Sequence, residues 1–321
     1  KIGKDGRPTP DTWPNTGIGR INPDGSKGSC TACHSRHTFS PVVARQPDSC
    51  GKCHMGPDHP QKEIYEASKH GIAFKAFKEY MKLDAQPWRV GIEYTAAPTC
   101  ATCHMSATQE QSVTHDVGRR ISWNLRPPIS EKIDAKAIKA GKAVESWEQR
   151  RKNMKNVCSK CHSDKYVDGF YIQFDSAINL YNEKYGIPST KIIKMMKAGG
   201  VLTPTAFDEE LEWTYFYLWH HEGRRARHGA SMMAPDYTQW HGFFEVAERF
   251  YIHFVPQVKE ACEKAIHKKG ESAATAKEVL KELDTILNKE EHKWFLGKMS
   301  SDEKASRKAA AEEFKKRYAQ N

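Results

Sequence analysis

Cys50-Gly51-Lys52-Cys53-His54 sets two thiols three positions apart, with an imidazole directly behind the second. On a helical turn, positions i and i+3 share a face, so both sulfurs can reach the two vinyl groups of one porphyrin. The histidine one step later lies under the ring and offers its imidazole to the iron. C-x-x-C-H is the attachment signature of a c-type haem. Three more copies flank this one: Cys30-Thr31-Ala32-Cys33-His34, Cys100-Ala101-Thr102-Cys103-His104 and Cys158-Ser159-Lys160-Cys161-His162. Chance supplies roughly 0.01 such motifs in a chain of this composition. Disulfides need no histidine after every pair, and a bridge between such close cysteines would strain the loop. Zinc would join two C-x-x-C units in one site and leave four histidines without work. The reading is four covalent haems held by Cys30, Cys33, Cys50, Cys53, Cys100, Cys103, Cys158 and Cys161, with His34, His54, His104 and His162 as proximal ligands.

The composition of the 321 residues fits that reading. Only 38% are hydrophobic, below the roughly 45–50% usual for globular chains, a benchmark that also counts glycine. The shortfall implies that something besides side chains fills part of the interior. The formal charge of +10 omits the cofactors. A ferric haem with ionised propionates carries about −1, which brings the total to roughly +6. Many arginines and lysines are therefore expected to face propionates, and nucleic acid is not expected as a partner. No apolar run approaches the length of a membrane span. The chain starts at Lys1, without Met or a signal-type segment, and reads as a processed or truncated product. Covalent haem attachment points to the periplasm or an equivalent extracytoplasmic lumen, the anammoxosome in an anammox bacterium. Cys262, the ninth cysteine, reads as a small buried hydrophobe.

The expected fold is mainly α: a multihaem cytochrome c with a haem-packed core followed by long C-terminal helices. Residues 1–30, rich in Pro, Gly and Asn, read as an extended arm. Residues 1–165 form the expected multihaem domain, and residues 166–321 a helical domain. Only 15 residues separate His34 from Cys50, so the first two haems must lie close together. Apolar residues recur at helical spacing over 172–185, 190–197, 207–221 and 237–254. The charged stretch 272–320 reads as one or two surface helices. Eleven histidines remain for the distal side of the irons. His70, His115, His228 and one of His220 or His221 are the candidates, with His37 added. His267 and His292, set among lysines and glutamates, read as solvated. Met55 and Met105 read as packing on haem edges, and Arg119-Arg120 as a possible docking cluster for a redox partner.

Three stretches go further. Cys50-Gly51-Lys52-Cys53-His54-Met55-Gly56-Pro57-Asp58-His59-Pro60-Gln61 resembles a signature of the octahaem hydroxylamine oxidoreductase family. So does Pro98-Thr99-Cys100-Ala101-Thr102-Cys103-His104-Met105-Ser106-Ala107. The third is Trp219-His220-His221-Glu222-Gly223-Arg224-Arg225-Ala226-Arg227-His228-Gly229-Ala230, continuing to Pro235-Asp236-Tyr237-Thr238. The resemblance implies hydroxylamine oxidoreductases, hydrazine dehydrogenases or homologues running reductively on nitrite or NO. It implies a homotrimer, a small nitrogenous substrate and a redox partner such as a small cytochrome c.

It also implies a catalytic haem with an open iron, bonded through its porphyrin to a tyrosine of a neighbouring subunit, at the place Tyr237 occupies here. Asp58 and His59 match an acid–base pair over that iron; distal ligation of the other haems would fall to residues such as His70, His115, His221, His228 and His37. The family carries eight haems, and these four motifs look like its last four, with the catalytic haem attached upstream. That haem would belong to an upstream segment or to a separate polypeptide, or else the chain is a reduced homologue. A multihaem electron carrier without catalysis, Asp58-His59 as a plain turn, and Tyr237 as an ordinary interface tyrosine are the competing readings. The intact mass of the denatured, reduced protein counts the thioether-linked haems. Four on this chain are expected, together with a covalent oligomer if the Tyr237 bond forms; a lone four-haem chain would leave the electron carrier.

Overall fold

The structure, a computed structural model, describes residues 30–122, 131–141 and 145–319. The expected N-terminal arm therefore lies, except for Cys30, outside the described residues. Among them the regular structure is helical throughout, and extended backbone pairs only at isolated bridges, Arg89 with Ala107 and Val90 with Tyr94. No described helix is long and apolar enough to cross a membrane.

The chain forms two compact units, each built from two stretches: residues 30–182 with 217–247, and residues 183–216 with 248–319. This differs from a division at residue 165. Helix Asp164–Tyr181 stays with the motifs because Arg151, on helix Trp147–Cys158, makes a two-pronged bond to Asp175 at 2.7 and 2.9 Å. The Arg151 guanidinium also lies 4.3 Å over the Tyr171 ring. Residues 217–247 join them where Arg227 stacks 4.2 Å over Tyr181.

In the first unit the helices are short and begin at capped turns. Ser68 accepts the Gly71 N–H and opens helix Lys69–Phe77. Thr99 and Thr102 form a reciprocal capping box at helix Cys100–His104, which satisfies donors the helix leaves unpaired. Buried apolar side chains among the described residues form clusters. One gathers Tyr65, Phe74, Met81, Leu83, Trp88 and Tyr94; a second gathers Val167, Tyr171, Phe174 and Ile178. Trp88 stacks on Tyr94 at 4.5 Å, donates its indole N–H to Met81 O, and carries the Arg45 guanidinium 4.8 Å from its ring.

Arg119-Arg120 does not form a docking cluster. Arg120 is buried and donates to the carbonyls of Thr102, Cys103 and Ser106. A cation there satisfies the open carbonyl end of the third motif's helix. Arg119 pairs with Glu145 at 3.2 Å.

The second unit has an ordinary helical core. Helix Ser272–Leu287 packs against both Ile187–Ala198 and Val255–His267, burying Ile192, Met196, Val258, Val279 and Leu283. Gly199 permits the closest approach, since a Cβ there would stand 2.2 Å from the Thr275 side chain. Cys262 is fully buried, as expected of a small hydrophobe. Helix Ser301–Tyr318 is exposed along almost its whole length, which matches a solvated surface helix.

His267 is exposed as expected, but His292 is not. The short turn Glu290–His292 folds the imidazole inward. There Nδ1 meets the Tyr251 hydroxyl at 2.7 Å and the ring stacks on Phe250 at 5.6 Å. Burial, reinforced by Lys184, pushes its pKa down to about 4. Between that value and the ordinary 6.5, the unfolded chain takes a proton that the folded one refuses. Stability is therefore intact above about pH 6.5 and falls by about 3 kcal/mol as the pH drops toward 4. Denaturant titrations across this range should show the loss, and His292→Phe should flatten it.

Candidate haem sites and proton-handling cluster

Each C-x-x-C-H motif is wound as one helical turn. The N–H of His34 donates to Cys30 O at 2.9 Å, that of His54 to Cys50 O at 3.0 Å and that of His162 to Cys158 O at 3.0 Å. The third motif is itself helix Cys100–His104. All eight cysteines are thiols, with no disulfide among the described residues. Large apolar side chains stand exposed beside the motifs, including Phe39, Met55 and Tyr166, and the Nδ1 of His34 is buried without a hydrogen-bond partner. Paired thiols, a following imidazole and an apolar flank suit a covalently held porphyrin.

The motifs follow one another in space as they do in sequence. Ser49 donates to Cys33 O and ties the second motif to the first. Helix Pro47–Gly51, which carries Cys50, packs against helix Cys100–His104, and that helix packs against Trp147–Cys158. The closeness expected of the first two sites thus extends along all four.

His70 faces His162. Their ring centroids are 6.1 Å apart. One iron between two imidazoles, at about 2 Å from each nitrogen, would separate the centroids by about 6 Å. Gly71 makes this position possible, because a Cβ there would lie 2.0 Å from Tyr65 O. Burial, then the neighbouring His162, lowers the His70 pKa and keeps the ring in the neutral form that ligates metal. His37 and His115 lie exposed on the loops after the first and third motifs.

Spacing alone does not make a ligand, as His59 shows. Its ring is 6.4 Å from that of His228 and 6.2 Å from that of His220, yet both of its nitrogens are occupied. Nδ1 lies 2.8 Å from Asp58 Oδ2, and Nε2 lies 2.7 Å from Arg224 Nη1. A guanidinium only donates, so Nε2 accepts and Nδ1 carries the proton toward Asp58. Gly56, at φ +101°, donates its N–H to Glu63 and sets the turn that presents this pair.

The partners of His59 come from a π-helical turn, Leu218–Glu222, that runs into helix Gly223–Ser231. Widening a helical turn displaces carbonyls from their usual partners; here Arg227 donates to Trp219 O and Gly223 O. A Cβ on Gly223 would stand 2.6 Å from the Tyr181 ring. His220 is turned toward Asp58, with Nδ1 3.7 Å from Oδ2, whereas His221 lies against Tyr217 with centroids 4.9 Å apart. Burial, then Arg224, pushes His220 down to about 4. Burial, then Arg227, His59 and Arg224, pushes His228 to about 3. Although burial works against it, the neighbouring His59 holds the Asp58 carboxyl below its ordinary value.

Tyr237 sits on the short helix Pro235–Thr238, half-buried, its ring 5.4 Å from that of His241. Burial and Glu63 raise its pKa. Gly229 lets this helix pack closely, since a Cβ there would be 2.6 Å from the Thr238 nitrogen. Sequence reading did not single out Arg224. The signal was its position four residues after His220, in a run where Gly223 and Ala226 leave room for a buried cation. Replacing His70 with alanine should remove one low-spin ferric signal from the electron paramagnetic resonance spectrum and add a high-spin one. An unchanged low-spin count would give His162 a different partner.

Residues 23–207 match the family described as "seven times multi-haem cytochrome CxxCH". Over 172 residues the chain is 35% identical to a probable nitrite reductase–hydroxylamine oxidoreductase fusion protein of Kuenenia stuttgartiensis, covering 43% of this chain and 19% of that protein. A solved hypothetical multihaem protein superposes with a TM-score of 0.61 at 27% identity, over 78% of this chain and 62% of its own. The reducing HAO-like protein complex of K. stuttgartiensis shares the fold, with a TM-score of 0.61 at 23% identity over 75% and 60% of the two chains. The chain thus spans 19% of the curated relative and at most 62% of either solved chain. The four C-x-x-C-H turns and a match over more than half the chain make it a member of the multihaem cytochrome c family.

Proposed function

We propose that this chain is the haem-rich part of an octahaem hydroxylamine oxidoreductase-type enzyme, which oxidises hydroxylamine or hydrazine. The observation that carries the reading is the hydrogen-bonded chain Arg224–His59–Asp58, in the same unit as four spatially consecutive haem motifs. An electron carrier needs the motifs but has no use for this cluster.

When bound, haem c supplies one-electron redox couples and, where a position is open, an iron that holds the substrate nitrogen. Oxidation of hydroxylamine or hydrazine releases several protons together with the electrons. The proton side belongs to His59 and Asp58. Once Nε2 is given up by Arg224 it is the atom that receives a substrate proton. Asp58, already bonded to Nδ1, steadies the imidazolium that results. His34, His54, His104 and His162 would serve as proximal ligands and His70 as the distal partner of His162. His228, neutral and buried, suits another distal position.

A second reading runs the chemistry backward on nitrite or NO. Tyr237 would crosslink to the catalytic haem of a neighbouring subunit in a homotrimer. The assembly would work in the periplasm or an equivalent lumen and pass electrons to or from a small cytochrome c.

Asp58→Asn in the full-length enzyme should lower kcat by about 10²-fold or more. Haem content and the low-spin signals should be unchanged. Wild-type turnover in the variant would reduce Asp58-His59 to a turn.

A further inference from the structure

The fourth haem site carries an aromatic ring that core packing does not account for. Tyr166 stacks on the proximal imidazole of His162, with centroids 4.8 Å apart and planes 21° from parallel, although it is 60% exposed. Its place is set by the backbone. Ser163 caps helix Asp164–Tyr181 by accepting the Tyr166 N–H, which puts this ring one turn beyond His162. Lys155 pairs with Asp168 at 2.6 Å, and Arg151 with Asp175 at 2.7 and 2.9 Å, so that helix is fixed against the one carrying Cys158. Opposite, His70 is held in the first turn of helix Lys69–Phe77, behind the Ser68 cap. The planes of the two imidazoles meet at 47°. The first motif repeats the device. Phe39 lies on His34 at 5.6 Å, 8° from parallel, and reaches it from a backbone φ of 49°, a left-handed conformation that is strained for a bulky residue. An iron-bound imidazole keeps one soft freedom, rotation about its bond to the metal, and a ring packed flat on its face restricts it.

We propose that Tyr166 is a positioning residue for the fourth haem: stacked on His162, it fixes the plane of the proximal imidazole against that of His70 and, through that twist, the potential of the haem. The inference rests on the reading that His70 and His162 share one iron. In a low-spin ferric haem the half-filled iron orbital follows the planes of the axial imidazoles, so their mutual angle sets the spread of the g values. Loss of the stacked ring frees His162 to rotate while both ligands stay bound.

The test is electron paramagnetic resonance on the oxidised, fully haem-loaded, full-length protein, with a redox titration beside it. The low-spin signal that disappears in His70→Ala identifies the fourth haem. In Tyr166→Leu the haem content and the number of low-spin signals should stay the same. This one signal should move in g by more than its linewidth, and the midpoint potential of the same haem should shift with it. Tyr166→Phe keeps the ring and should restore both to their wild-type values. An unmoved signal in Tyr166→Leu overturns the proposal. So does a high-spin fourth haem in that variant, which would make the ring a support for ligation itself. A failure of Tyr166→Phe to recover also overturns it, since the role would then belong to the hydroxyl. If His70→Ala removes no low-spin signal, the pairing with His162 fails, and the inference with it.

Discussion

Each C-x-x-C-H motif must be a helical turn with both thiols and the imidazole facing one side, and much of the first unit follows from meeting that demand four times. A thioether-bound porphyrin is larger than any side chain and needs apolar walls on both faces. Among the described residues of the unit, buried apolar side chains gather in clusters. Those around Trp88 and Tyr171 brace the motif turns, and buried arginines hold the loose ends. Arg120 closes the third motif's helix, and Arg151 fastens the fourth motif's helix to the next one. The second unit carries no motif, and it packs by ordinary ridge-and-groove burial of Ile, Leu, Val and Met.

What could be read in advance follows how local the physics is. The haem turns were legible because spacing, handedness and ligand chemistry all lie within five residues. The helix of 187–198 was legible from its apolar repeat, whereas 272–287, expected from its charges to lie on the surface, buries Val279, Leu283 and Ile286 and is a core helix. His70 could be named but not matched with an iron, because the loops bringing it to His162 depend on the Ser68 cap and on the missing side chain of Gly71. His292 departs from what its charged neighbours suggest, because the turn that carries it leaves Glu290 and Glu291 outside the core and folds the ring inward. Arg119-Arg120 misled for a related reason. A basic pair looks like surface, yet one member is an internal carbonyl cap.

The candidate site was half legible. Asp58 and His59 stand in a stretch with a family resemblance, and they meet through a local turn. Arg224 reaches them from residues far along the chain, through a π-helical turn that changes which side chains share a face. Propensity and period carry no sign of such an extra residue in a helix. Its trace is steric, in Gly223, which must lack a Cβ to fit against Tyr181.

The first unit is discontinuous, its second stretch starting at residue 217, and this sets an order on biosynthesis. The four motifs leave the ribosome before the segment that packs on helix Asp164–Tyr181 exists. Contacts of such long sequence separation form late. Until residues 217–247 pack against it, the first stretch lacks the partners of Tyr181 and His59. The cluster around His59 draws on both stretches, so it cannot form before the second one is in place.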